Sequence, residues 1–288
     1  MKKISISAII LLSLICFNNS EAAETSPAAS AFLSGGRAVP AGRAGAGVSS
    51  SGAEFYNINP ASIAGSENFT LGLDYGSLNG KYVYPTVSAA LPFAYGVFGL
   101  SFSYFKFTDD DVEQKGYFVS AGLSKEMTSR FMFGLSFEYG SSDYPESGSY
   151  AGLKPGIKYR VGSTDSVTGF GIYDFSMGLS AGLGYGSAEE INLNTVTAGY
   201  SFGFYRDRLY SFGLYNDVSA VNGFGNYPVK LGLEAVLYND FSVRGGVVIP
   251  DSYDFMTYTC GAGYRFEGEY LRGSINYAFA YSGENGIN

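Results

Sequence analysis

The chain has 288 residues, 46% hydrophobic and 17% aromatic, with only 15% charged and a formal net charge of −8. Ordinary soluble domains carry about 25% charged residues, so the composition points to a surface that faces something other than water. The acidic balance argues against a nucleic-acid partner, whose phosphates demand a basic surface. With no His, two Cys and no phosphate loop, nothing nominates a triad, a metal site or a cofactor, and no enzyme is expected.

Residues 1–22 read as a secretory signal: Lys2 and Lys3 are basic, Ala8 to Phe17 is apolar, and Ser20-Glu21-Ala22 offers a small-x-small cleavage site. The apolar run is shorter than the roughly 20 residues that span a bilayer as a helix. A lipidated N-terminal Cys16 is the competing reading, set against by the bulky Ile15 before it. With the signal removed, Cys260 stands alone and no intramolecular disulfide forms. Stability after export then has to come from elsewhere, as a closed, lipid-embedded hydrogen-bond ladder provides.

Residues 23–66 form a plug-like segment rich in Ala, Gly and Ser, running from Gly35 to Gly47 and then through Phe55-Tyr56-Asn57-Ile58-Asn59-Pro60-Ala61-Ser62-Ile63-Ala64. Its period is neither two nor clearly 3.6. Small residues of this kind suit packing against a barrel wall or inside it.

From residue 67 to 288 the period is two, and no stretch of 18 apolar residues occurs. Strands are predicted near 67–77, 81–91, 95–107, 115–125, 129–141, 150–161, 169–186, 191–205, 207–218, 227–238, 239–249, 254–267 and 269–281. Each approaches the ~9–11 residues of a tilted transmembrane strand. Asn79-Gly80, Tyr238-Asn239-Asp240 and Glu267-Gly268 supply turns. Phe131, Phe133, Leu135, Phe137 and Tyr139 point one way, and Met132, Gly134, Ser136, Glu138 and Gly140 the other. The split recurs at 98–104, at 172–185 with Tyr173 on the greasy side, and at 255–266, where Cys260 reads as lipid-facing.

The fold class is all-β: a transmembrane antiparallel β-barrel with a small N-terminal plug segment. Bacterial single-chain barrels have even strand counts, so the odd reading implies about 14 strands with the last missing after Asn288. Closure at twelve is the alternative.

Charges on the polar face of these strands are expected to line the lumen: Asp74, Arg130, Glu138, Lys154, Lys158, Arg160, Asp174, Lys230, Glu234, Arg244, Arg265 and Arg272. They line a path or pair across the lumen and plug it. Lys106, on the greasy side, sits at a strand end where it can snorkel. A cation at the lipid-facing midplane would cost ~2–4 kcal/mol, which explains the segregation. Pro85 and Pro155 fall inside strands and each removes a ladder donor, which implies a wall gap or a simple bulge. The acid runs Asp109-Asp110-Asp111 and Glu189-Glu190 sit in turns and read as solvated, with calcium as the minor alternative.

The Gly/Ala/Arg run leading into Asn59-Pro60-Ala61 resembles the mature N-terminus of the FadL/PorV family of outer-membrane proteins, with looser likeness at 214–216, 227–233 and 276–279. The resemblance implies a fourteen-stranded barrel in the bacterial outer membrane, with Phe55, Tyr56, Asn59, Pro60 and Ala61 in a ligand-binding or plug role. It implies one of two jobs: passive uptake of hydrophobic molecules such as long-chain fatty acids, or PorV-like partnership with a secretion system. The composition leaves a general diffusion pore as a further alternative. Outer-membrane lipid is the partner common to all three.

Overall fold

The computed structural model describes residues 42–43, 46–78, 80–109, 112–143, 148–162, 168–186, 195–221, 228–249, 256–268 and 271–282. The signal at 1–22 with Cys16, the run 35–41, Asp110-Asp111, Glu189-Glu190 and the tail 283–288 lie outside the described residues.

The strands are β1 (Phe69–Leu78), β2 (Tyr82–Phe93), β3 (Gly96–Asp109), β4 (Val112–Glu126), β5 (Phe131–Ser142), β6 (Gly148–Arg160), β7 (Gly169–Gly186), β8 (Thr195–Arg206), β9 (Tyr210–Val221), β10 (Val229–Leu237), β11 (Phe241–Ile249), β12 (Thr257–Glu267) and β13 (Leu271–Ser282). Consecutive strands pair antiparallel and close into one barrel. Turn chemistry sets several boundaries. The Asp207 carboxylate accepts the N–H groups of Leu209 and Tyr210, both at 2.7 Å, so β9 starts at Tyr210 and not at 207. Thr128 Oγ1 accepts from the N–H of Arg130 and of Phe131, so β5 starts after the turn. Tyr238 and Asn239 both have positive φ, 54° and 65°, as the central residues of a type I′ turn do, and Asp240 N–H closes that turn onto the Leu237 carbonyl within the three-residue connection 238–240.

Among the described residues the strand count is thirteen, neither fourteen nor twelve. An odd up-and-down barrel brings its first and last strands together in the same direction. Accordingly β1 meets β13 in parallel, from Phe69 opposite Leu271 to Leu78 opposite Ala280. β13 therefore closes the wall without a further strand, and the ladder retains no open edge. Across this seam the Tyr75 and Tyr277 rings stack at 5.8 Å.

The outer face is apolar. Leu123, Phe137, Leu183, Leu233, Val243 and Ile275 are all more than half exposed or nearly so, between 52% and 56%. Hydrocarbon, unlike water, stabilises such a face, and a closed ladder suits that solvent. The Lys106, Glu113 and Lys115 ion pairs lie near the β3–β4 connection, consistent with charge at the interface. In β5 the five greasy positions are all exposed and the five opposite all buried, as the alternation predicts.

β7 departs from strict alternation. Its register against β8 shifts between Phe170 and Tyr173 and again between Tyr173 and Ser176, and Asp174 has φ 49°. The extra residues turn Tyr173 inward, where it is 2% exposed, and turn Asp174 out to the rim. Both expected orientations are thereby reversed.

Candidate functional site

The lumen holds a chain segment. The described residues from Gly42 to Ala64 lie against the inner wall, with two short 3-10 turns at Ala53–Phe55 and Pro60–Ile63. The wall receives them on glycines. A Cβ at Gly99 would fall 2.7 Å from Ile63, one at Gly232 2.6 Å from Arg43, and one at Gly261 3.1 Å from Gly42. Cβ atoms at Gly134, Gly156 and Gly178 would run into Pro60, Asn59 and Val48. Glycines on β3, β5, β6, β7, β10 and β12 thus clear the ground on which the segment rests.

Polar bonds fix it there. The Arg43 guanidinium donates to Glu234 of β10 and lies over the Tyr215 ring, 3.7 Å from its centroid. Arg244 of β11 donates to the other Glu234 oxygen at 2.8 Å and to Asn276 at 3.1 Å. Tyr215 adds a hydroxyl bond to Glu234 at 3.1 Å. Both oxygens of one carboxylate are thus approached by three donors, from β9, β11 and the segment, the condition under which a buried ion pair is tolerable. The Asp217 carboxylate accepts the N–H groups of Gly47 at 2.6 Å and Val48 at 2.8 Å.

Across the lumen, Asn57 bonds Ser101 at 3.0 Å and accepts from Ser120 at 2.6 Å. Lys154 donates to the Asn57 carbonyl at 2.7 Å and forms an ion pair with Glu138, also at 2.7 Å. Lys158 donates to Ser51.

Asn59 caps the second turn: its Oδ1 accepts from Ala61 N–H at 3.0 Å. Its Nδ2 donates to the carbonyls of Val48 at 2.6 Å and Ile157 at 2.9 Å. Phe55, Tyr56, Asn59, Pro60 and Ala61 are all buried, so in this conformation they hold the segment together and present no open surface.

Among the twelve charges expected to line the lumen, Asp74, Glu138, Lys158, Glu234 and Arg244 are buried inside, and Lys154, Arg160 and Lys230 are half-buried. Arg265 and Arg272 lie at the mouth, where they line a cavity with Arg160. Arg130 lies in the exposed turn before β5, and Asp174 pairs with Arg206 on the rim, so neither lines the lumen. Pro85 and Pro155 interrupt their ladders: β2–β3 pairing resumes at Thr86 after Val83, and β6–β7 pairing at Gly156 after Leu153. The register is the same on both sides of each break, so each is a gap without a bulge.

Arg43, Tyr215 and Asp217 were not singled out by the sequence. Arg43 is one of two cations in a small-residue run, and Asp217 shares the period-two face of Tyr215 and Ser219; those were the available signals.

No family model matches the chain, and no curated protein matches it. The FadL/PorV resemblance therefore rests on the short segments alone. Among solved structures the chain is similar to a KdgM porin, at 16% identity and a TM-score of 0.45 over 68% of this chain and 99% of that one. It is also similar to a KdgM porin in complex with disordered oligogalacturonate, at 18% identity and a TM-score of 0.43 over the same shares.

Proposed function

We propose that the protein is a bacterial outer-membrane barrel for passive uptake of small molecules, and that residues 42–64 are its plug, closing the bore at rest. The seat of that segment carries the reading: it rests on glycines of six strands and is tied by Arg43 to Glu234 and by its backbone to Asp217. Most connections at the end where β1 begins are tight, at 94–95, 127–130, 207–209, 238–240 and 268–270, whereas 187–194, 222–228 and 250–256 at the other end are longer. Short turns face the periplasm in such barrels, so the plug enters from that side.

Hydrophobic molecules such as long-chain fatty acids are the cargo that the FadL/PorV resemblance implies. The two ladder gaps at Pro85 and Pro155 give such cargo a sideways exit into lipid. A diffusion pore for polar solutes is the second reading. The inner face favours it, since Ser88, Ser101, Ser120, Ser136, Ser180 and Ser201 all point inward and are buried.

Proteoliposomes tested in parallel with a long-chain fatty acid and a neutral sugar separate the two. Arg43→Ala removes the plug's ion pair to the wall while leaving Glu234 paired with Arg244, and is expected to raise passage. Pro155→Ala is expected to slow the fatty acid alone if the gap is the exit. Impermeability of both wild type and Arg43→Ala to both solutes would overturn uptake, and co-purification with a periplasmic complex would then mark a secretion partner.

A further inference from the structure

The two breaks in the wall differ in what stands behind them. At the Pro85 break it is the wall's own side chains. Tyr84 and Phe105 are buried at the missing registers, and each ring turns away onto a glycine of the next strand: a Cβ at Gly76 of β1 would run into Tyr84, and one at Gly116 of β4 into Phe105. Thr86 and Ser103 bond each other at 2.8 Å at the register where pairing resumes. The segment stands further back on β3, where Asn57 bonds Ser101 at 3.0 Å.

At the Pro155 break it is the segment. The pairs lost there are Lys154 with Gly182 and Pro155 with Ala181, between the retained pairs of Leu153 with Leu183 and Gly156 with Ser180. Proline has no N–H to give, so two strands of a closed wall run side by side here without their usual bonds. Residues 42–64 bridge them. Asn59 sits on Gly156 of β6, where a Cβ would run into its Oδ1, and its Nδ2 donates to the Ile157 carbonyl at 2.9 Å. The same Nδ2 donates to the Val48 carbonyl at 2.6 Å, and that carbonyl lies over Gly178 of β7, where a Cβ would run into it. On the far side of the break Lys154 donates to the Asn57 carbonyl. One amide thus joins a residue seated on β6 to a residue seated on β7, beside the registers that proline leaves unbonded.

We propose that residues 42–64 are also the latch of the side wall: Asn59 holds β6 to β7 across the Pro155 break, which parts only when the segment leaves, whereas the Pro85 break is independent of it. Resting on the reading of those residues as the plug, this latch makes the axial bore and the side wall open in one movement. An apolar cargo leaving sideways would do so at Pro155, and only from an unplugged barrel.

The test is dipolar broadening between nitroxide labels on the full mature protein in lipid nanodiscs, with Cys260→Ala removing the native thiol. One label pair sits at Leu153→Cys/Leu183→Cys, exposed and directly opposite beside the Pro155 break; the other sits at Val87→Cys/Phe102→Cys, exposed and opposite beside the Pro85 break. Asn59→Ala is expected to remove most of the broadening at the first pair and to leave the second unchanged. Adding Pro155→Ala, which restores the missing N–H, should bring the broadening back, a rescue that loss of folding does not allow. A fall at both pairs would mean general loosening and would overturn the proposal. So would no fall at the first pair, or no recovery with Pro155→Ala. Because no solute passage is measured, a barrel that transports nothing can still show the latch, and a barrel without the latch can still be plugged along its axis.

Discussion

Strands β5 and β8 are both twelve residues long and belong to the same wall, yet their inner faces differ. β5 alternates without exception from Phe131 to Gly140, whereas β8 has one buried position, Ser201, among positions mostly half-exposed. The difference lies in what stands inside. The Pro60–Ile63 turn packs onto β5, and a Cβ at Gly134 would run into Pro60. At Gly203 of β8 the nearest atom to a Cβ would be 3.4 Å away, an ordinary contact. Burial of the inner face is thus conferred by the segment at Gly134, where no room is left, and the wall is open by comparison at Gly203.

The largest expected effect comes from removing the carboxylate that joins segment to wall. Glu234→Ala leaves the Arg43 and Arg244 guanidiniums buried without their shared partner, at a cost of about 3–5 kcal/mol, read as a lowered melting temperature in detergent. Arg43→Ala is expected to cost less, because Glu234 keeps Arg244. A reversed order would show that the segment, not the wall, depends on this node.

The comparison of walls is sharpened by a pair of methyl insertions. Gly134→Ala should cost about 1–3 kcal/mol through overpacking. Gly203→Ala should stay within about 0.5 kcal/mol. Equal effects would break the contrast between the filled position at Gly134 and the open one at Gly203. Asn59→Ala, which loses the cap of the second turn, is expected to cost about 1 kcal/mol by the same melting assay.

The smallest effect belongs to the rim. The backbone N–H of Leu209, with the Tyr205 hydroxyl and the Tyr210 N–H, holds the Asp207 carboxyl below the usual carboxylate range. A depressed folded-state pKa contributes stability that is present above the unfolded pKa and is lost as pH falls through the folded one. Asp207→Ala should therefore lower the melting temperature slightly at neutral pH and leave it unchanged in strong acid. A difference that persists in acid would remove the ionised carboxylate from the explanation.

The wall was largely legible because an apolar outer face and a small or polar inner one impose a period-two code. β5 shows it in full, and Pro85 and Pro155 were found as ladder breaks because proline has no N–H to give. The parity of the barrel was not legible: the even count came from a general rule, and nothing local to Phe69 or Leu271 announces a parallel pair. Tyr173 and Asp174 were misplaced because a bulge leaves no compositional mark. The seat was hardest to read. The inner glycines look like small residues that fit the alternation, and only their distances to Arg43, Val48 and Pro60 show what they accommodate.

Planar-bilayer recording of wild-type protein beside Arg43→Ala tests the closed bore most directly. If the segment closes the bore as proposed, the wild type should be silent or open rarely, and the variant should conduct in longer, more frequent openings, since its wall stays paired while the segment loses its ion pair to that wall. Steady, equal conductance in both would mean that the segment does not close the bore.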